Sequence, residues 1–302
     1  MTATTTTSPP ACQIVFVTDR GLLRPTLVAI WSLLRHLSRP ADLHLWGDGL
    51  GDADWQAVHR VVETGGKASL QSRAIDPTEL AGAGSPAAHI SAAAMGRLFI
   101  PRHLSGRVLY IDGDTLITGD VAPLFDLPLL PGERIGAARD YVTAEWLAGG
   151  RLNDRRRQRL AALEKHMDPR GYFNSGVLLM DCDAIRAEPD LQARLEDVAA
   201  ATATDWGDQD HLNFLFSGRT HLLNPAWNSS WQRGPAQRRF AKKLGGGAEE
   251  TRDLPDAIIH YHGPKKPWKA PRYDLWSARA RAVLRYRREL GSFIAAFPDL
   301  AP

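Results

Sequence analysis

Read from its amino end, the chain alternates short apolar runs with amphipathic stretches. Residues 13–17 (QIVFV) form an apolar run that predicts a buried first strand. After the turn Thr18-Asp19-Arg20-Gly21, Pro25 opens a segment with apolar residues at Leu27, Ile30, Leu34 and Leu37. That spacing predicts a helix with one buried stripe. Residues 42–46 predict a second strand, the Gly/Asp-rich 47–51 a turn, 54–63 a helix and 68–73 a third strand. Small side chains over 85–99 predict a helix, leading to 108–112 (VLYID), a strand with an acidic end. Apolar runs at 134–138, 176–181 and 257–261 predict further strands. The Arg-dense stretch 148–166 predicts a mobile helical hairpin or lid, and the Gly run 245–247 a flexible loop. No repeat of solenoid or propeller period is present.

Strands alternating with helices predict crossover units and a largely parallel sheet. The expected organisation is one α/β domain over 13–270, after a disordered leader (1–12) and before a helical basic and aromatic tail (271–302). Ligands of such sheets bind outside the carboxyl ends of the strands, so the chemistry should gather just after strands.

Composition changes this picture little. Of the 302 residues 44% are apolar and 24% charged, ordinary for a globular protein, and the net charge is only +3. Its distribution is uneven, because residues 265–288 hold nine Lys or Arg and one acid, Asp274. Trp268, Tyr273, Trp276 and Tyr286 interleave with those cations. That is the composition of an anchor to an anionic membrane surface, or equally of a solvated basic helix face. Cys12 and Cys182 lie far apart beside apolar runs, which predicts buried structural thiols. No apolar run is long enough to span a bilayer, and the first ten residues lack the regions of a signal peptide. The expected location is cytoplasmic, at most peripheral at the inner face of the membrane, with no nucleic-acid partner.

Four polar clusters carry candidate chemistry. In Tyr110-Ile111-Asp112-Gly113-Asp114-Thr115, alternate side chains of an extended segment share a side, so Asp112 and Asp114 can converge. Gly113 leaves the backbone open to a ligand. Two carboxylates so close repel, and a hard divalent ion, Mn²⁺ or Mg²⁺, relieves this and neutralises a departing diphosphate. In Ile258-Ile259-His260-Tyr261-His262-Gly263-Pro264-Lys265-Lys266, a strand delivers an imidazole and a turn delivers lysines. An imidazole beside two carboxylates suits Mn²⁺, and Lys suits phosphate. Tyr172-Phe173-Asn174-Ser175-Gly176 and Asp208-Gln209-Asp210 offer amides that suit sugar hydroxyls. Each cluster taken alone is also compatible with a turn, a helix cap or a satisfied core histidine.

Together, and in order, these pieces resemble glycosyltransferase family 8, the group of glycogenin and the bacterial lipooligosaccharide galactosyltransferases. The matching segments are VFVTD at 15–19, Arg97, YIDGDTLITGDVAPLF at 110–125, YFNSGVLLMD at 172–181, DQDHLNFLF at 208–216 and HYHGPKKPW at 260–268. The resemblance implies a GT-A (Rossmann-like) fold, a UDP-sugar donor, a saccharide or glycolipid acceptor, Mn²⁺ and retention of anomeric configuration. It places Asp112, Asp114 and His260 on the metal, and Gly263 and Lys266 on the diphosphate. Thr18 and Asp19 fall at the nucleoside; Arg97, Asn174, Asp208 and Gln209 line the donor sugar, with Gly113 also at the donor. Asp208 or Gln209 would stand beside the anomeric carbon. One departure is Arg20, where relatives often carry Asp or Asn. Acceptor pockets are expected in loops, here 141–170 and 224–250. Two rival readings are an aspartate-nucleophile phosphatase, suggested by Asp-Gly-Asp-Thr, and a catalytically silent sugar-binding protein. Patterns for serine hydrolases, zinc proteases, Rossmann dehydrogenases and P-loop enzymes are absent from the sequence.

Overall fold

A computed structural model of the chain describes residues 11–83, 92–269 and 278–300. Its elements follow in order: strand β1 (Cys12–Asp19), helix α1 (Leu23–Leu34), β2 (Ala41–Asp48), α2 (Asp52–Glu63) and β3 (Ala68–Ala74). A 3-10 helix (Ala92–Phe99) precedes α3 (Ile100–His103), β4 (Arg107–Ile111), β5 (Thr115–Ile117) and β6 (Ile135–Arg139). Helices α4 (Tyr141–Leu147) and α5 (Asp154–Glu164) lead to β7 (Phe173–Asp181), α6 (Cys182–Arg186), α7 (Pro189–Leu195), α8 (Val198–Thr202) and α9 (Asp208–Leu215). Last come β8 (Thr220–Leu222), β9 (Ser229–Ser230), α10 (Gly234–Lys243), α11 (Ala248–Thr251), β10 (Ile258–His260) and α12 (Ala278–Ala296).

Seven strands form the central sheet in the order β3-β2-β1-β4-β7-β6-β8. All neighbours are parallel except β7, which runs antiparallel to both β4 and β6. This is the mixed, mostly parallel sheet that the alternation of elements predicts. Strand alternation sends Ile14 and Phe16 to one face and Val15 and Val17 to the other, and each pair joins a different apolar cluster. Both faces are therefore covered, which is why the central strands read as continuous apolar runs. A second sheet of three short strands, β5-β10-β9, sits beside the first. It pairs β10 antiparallel with β5 and parallel with β9, setting His260 opposite Thr115 and Ser230.

Four sequence expectations change. Helix α1 is buried on nearly every side, including Leu23, Val28, Ala29, Leu33 and Ser32, rather than along one stripe. It is wedged among β5, α2 and α12, and its Ser32 hydroxyl accepts the Ile117 N–H of β5 at 3.0 Å. The described part of the predicted 85–99 helix is the 3-10 helix Ala92–Phe99; residues 84–91 lie outside the described ones. The 245–247 glycines form a held connection: a Cβ on Gly246 would come 2.6 Å from Glu250, which is buried.

The tail differs too. Tyr286 is fully buried against Tyr261 and Trp268, and the Tyr261 hydroxyl donates to Ala282 O at 2.8 Å. Tyr286 and Trp268 thus pack inward instead of forming an outward aromatic anchor, while Tyr273 and Trp276 lie outside the described residues. No described helix is long and apolar enough to cross a membrane. Both cysteines are buried and free, as expected.

Candidate functional site

Strand β4 ends at Ile111, and the chain turns through Asp112-Gly113-Asp114 into β5. Two main-chain bonds and one side-chain bond fix this turn. Asp112 N–H donates to Gly176 O at 2.8 Å, Tyr261 N–H to Asp114 O at 2.9 Å, and the Thr115 hydroxyl to Asp112 O at 2.8 Å. Gly113 is required by space: a Cβ there would lie 2.0 Å from Thr26 Oγ1 on α1. Gly176 is required likewise, since a Cβ there would lie 2.2 Å from His260 Cε1 and 2.6 Å from Asp112 Oδ2. The bare strand β7 is what lets β4 and β10 bring their acidic and imidazole groups together.

They do meet. Asp112, Asp114 and His260 each offer one ligand atom, and these atoms all lie within 4.8 Å of one another. His260 Nε2 is 3.1 Å from Asp114 Oδ1 and 3.6 Å from Asp112 Oδ2. Its orientation follows from its neighbours. Asn174 Oδ1 takes the Gly176 N–H at 3.1 Å and the Asn228 Nδ2 at 2.9 Å, so Asn228 turns its oxygen to His260 Nδ1 at 3.0 Å. Nδ1 therefore donates to Asn228, and Nε2 is the ring nitrogen left directed at the carboxylates, the placement a metal ligand needs.

Charge in this region is unevenly matched. Asp114 Oδ2 accepts Lys266 Nζ at 2.5 Å, and Lys266 with His260 holds the Asp114 carboxyl well below the usual range despite burial. Arg97, buried on the 3-10 helix, is shared by Asp112 Oδ1 at 3.2 Å and Asp208 Oδ2 at 2.7 Å. Burial pushes the Asp208 carboxyl up. Among the described residues, these three carboxylates thus share two permanent cations in direct contact, with one imidazole beside them. A divalent cation fits this donor set of one nitrogen and two oxygens. The neighbouring His262 bonds Ser230 Oγ through Nε2 at 2.7 Å, and burial together with His260 lowers its pKa to about 3.

The twelve residues singled out in the sequence all line one cleft of about 550 Å³: Thr18, Asp19, Arg97, Asp112, Gly113, Asp114, Asn174, Asp208, Gln209, His260, Gly263 and Lys266. Asp19 closes β1 and accepts the Leu22 N–H at 2.8 Å; the Thr18 hydroxyl donates to Asp19 O at 3.1 Å. Gly263 turns the chain at φ +88°, the left-handed region that glycine enters freely. Gln209 Oε1 accepts Asn174 Nδ2 at 3.0 Å. Arg20, the departure from the family pattern, points to Asp54 at 3.2 Å and is largely exposed.

Sequence reasoning missed Asp140, Asn228, Arg155 and Trp206. Asp140, Arg155 and Trp206 line the cleft, and Asn228 orients His260 from behind. Asp140 was within reach, because it directly follows β6 as Asp112 follows β4. It caps α4 by accepting the Thr143 N–H at 2.8 Å, and burial raises its pKa. Asn228 lies in an undistinguished polar run and carries no comparable signal. A larger cavity of about 720 Å³, between α1, β5 and α12, holds Arg35, Arg281, Arg285 and Arg288 but none of these site residues. Part of the basic tail faces it.

Likeness to known proteins agrees with this geometry. The family model for glycosyl transferase family 8 matches residues 13–271. Among curated proteins, the glycosyltransferase GlyF of Streptococcus pneumoniae is 28% identical over 85% of this chain and 57% of its own length. The general stress protein A of Bacillus subtilis is also 28% identical, over 60% of this chain and 61% of its own length. The chain thus spans somewhat over half the length of these two relatives. Among solved structures, the galactosyltransferase LgtC in complex with donor and acceptor sugar analogues superposes with a TM-score of 0.69. It covers 93% of this chain and 95% of LgtC at 24% identity, a likeness of fold.

Proposed function

The chain belongs to glycosyltransferase family 8, and from that premise we propose that it moves a hexose, glucose or galactose, from a UDP-sugar to a saccharide or glycolipid acceptor with retention at the anomeric carbon. The observation that carries the reading is the convergence of Asp112, Asp114 and His260 beside Lys266, in the same cleft as Asn174 and Gln209. Asp112, Asp114 and His260 would hold Mn²⁺, with Mg²⁺ as the other hard ion of suitable charge. When bound, that ion supplies Lewis-acid charge neutralisation to a diphosphate leaving group.

The protein's own residues do the rest. Lys266, one turn beyond β10, brings a point charge to the phosphates, and the bend at Gly263 exposes backbone to them. Thr18 and Asp19 close the cleft at the end of β1, where a nucleoside lies in open α/β sheets. At the other end, Arg97, Asn174, Asp208 and Gln209 form the polar wall for a neutral sugar. Asp208 is tied to Arg97, whereas the half-buried Gln209 turns its carbonyl towards Asn174; Gln209 is therefore the better placed to face the anomeric carbon. Likeness of fold to a galactosyltransferase is in keeping with a hexose donor. Nothing in the cleft favours the phosphatase: Asp112, its would-be nucleophile, is bound by Tyr110, Arg97 and the cluster itself.

The test is a donor screen. With Mn²⁺ the protein should release UDP from UDP-glucose or UDP-galactose, and chelation should abolish this. Undiminished activity in excess chelator, or phosphate release from simple phosphomonoesters, contradicts the proposal.

A further inference from the structure

Gln209 sits at the end of a polar chain that starts outside every motif in the sequence. Arg159, in the middle of the Arg-rich helix α5, ion-pairs with Asp210 Oδ1. The Tyr172 hydroxyl also reaches that carboxylate, at 2.6 Å, and Asp210 Oδ2 accepts the Trp206 N–H at 3.1 Å. Asp210 is 1% exposed and Tyr172 equally so, and the Arg159 guanidinium lies 4.6 Å from the Trp206 ring centroid and 5.8 Å from that of Tyr172. Gln209 Nε2 completes the chain at 3.2 Å from the Tyr172 oxygen.

Donor and acceptor inventories fix the direction of every bond. Arg159 only donates and ionised Asp210 only accepts, so the single phenolic proton of Tyr172 goes to Asp210. Burial and the Asp210 charge keep that phenol protonated, raising its pKa well above the ordinary value. The Tyr172 oxygen is left with two lone pairs, one taken by Arg159 Nη2 at 3.4 Å and one by Gln209. It can therefore meet only the NH₂ end of the Gln209 amide. The carbonyl end must point the other way, where Oε1 accepts Asn174 Nδ2 at 3.0 Å and Ser175 N–H at 3.3 Å on the cleft wall. A free glutamine could flip its amide at little cost; this one cannot without leaving two donors facing each other.

We propose that Arg159, Asp210 and Tyr172 are positioning residues that lock the amide of Gln209 with its carbonyl oxygen turned into the sugar end of the cleft. The role of Gln209 at the sugar rests on the function proposed above; the lock itself does not. It also gives the Arg-rich segment a definite task, to carry the cation that anchors this chain. Asp210 is buried and committed to three partners, so it acts through Gln209 and not on substrate.

The experiment uses the full-length protein with Tyr172→Phe, Arg159→Gln, Gln209→Ala and the double variant Tyr172→Phe/Gln209→Ala. Tyr172→Phe keeps the ring and removes only the hydroxyl. It should lower kcat by on the order of tenfold or more while donor KM moves by less than about threefold, because orientation is lost and binding is not. In the Gln209→Ala background the same change should have no further effect, the non-additivity expected of groups that act as a unit. Side-chain ¹⁵N resonances give a readout independent of turnover. The Gln209 amide pair should shift in Tyr172→Phe and in Arg159→Gln, while that of exposed Gln71 stays in place. A folded Tyr172→Phe with unchanged kcat and an unmoved Gln209 resonance overturns the lock. A wild type that turns over no nucleotide sugar, yet shows the resonance shifts, overturns the proposed function and leaves the lock standing.

Discussion

The molecule buries charge in two contrasting ways. Between β6 and α11, Arg139 and Glu250 form a closed pair, 8% and 4% exposed, with Arg139 Nε 2.5 Å from Glu250 Oε1 and Nη2 3.2 Å from Oε2. One cation meets one anion in a bidentate fork and nothing is left over. In the cleft, Asp112, Asp114 and Asp208 share Arg97 and Lys266, with His260 Nε2 directed at two of them. The first arrangement is complete without a ligand and the second is not. Burial of charge is thus no mark of function by itself; a shortfall of countercharge at the end of a parallel strand is. Structural ion pairs and functional ones differ in their balance.

The contrast breaks most sharply at the acids. Asp112→Asn should cut sugar transfer by at least roughly a hundredfold, since it removes a metal ligand and its countercharge. The same change relieves an excess of negative charge, so the melting temperature of the metal-free protein should hold or rise. A metal-free protein that melts far lower than wild type would show that the cleft, too, is a balanced structural pair. The histidines come next. His260→Ala should raise the Mn²⁺ concentration for half-activation by roughly ten- to a hundredfold, and His262→Ala by only a few-fold, in a metal titration of activity. The reverse ranking would reassign the ligand.

On the balanced side the expected losses are in stability. Glu250→Gln leaves Arg139 buried without its anion and should cost about 3 kcal/mol, read as an earlier urea midpoint. Activity per folded molecule should stay within about twofold; a large fall in kcat would tie this pair to the cleft. The smallest effect belongs to a half-buried carboxylate at the surface. Asp54 accepts the Gly51 N–H at 3.0 Å, and that bond, with Arg20, lowers its pKa. A depressed acid stabilises the fold above its ordinary titration range, and that share is lost as pH falls through the depressed value. Asp54→Asn should therefore cost at most about 0.5 kcal/mol at neutral pH, and the difference from wild type should vanish in acid.

Much of the fold was legible because its signals are local. The runs QIVFV and VLYID are apolar at consecutive positions, as strands covered on both faces must be, and their polar ends marked the cleft. The acid pair, His260 and Lys266 were legible for the same reason, each standing at a strand end or turn. The single-stripe reading of α1 failed because burial on its outer sides comes from β5 and α12, distant in sequence. Two of the four tail aromatics were misread likewise: Trp268 and Tyr286 have the composition of an anchor, and only the packing of Tyr286 on Tyr261, and of Trp268 on Tyr286, sends them inward.

The sequence by itself determined the alternation of strands and helices through β4, the family, and which side chains carry charge or an imidazole into the cleft, since periodicity and strand-end position are properties of neighbouring residues. Tertiary structure alone decided how those groups are set: Asn228 orienting the His260 ring, Gly176 giving way beneath it, Arg159 reaching Asp210 from another helix. Hydrogen-bond direction and close approach depend on atoms brought together from 32 to 84 positions apart, and no local pattern encodes them.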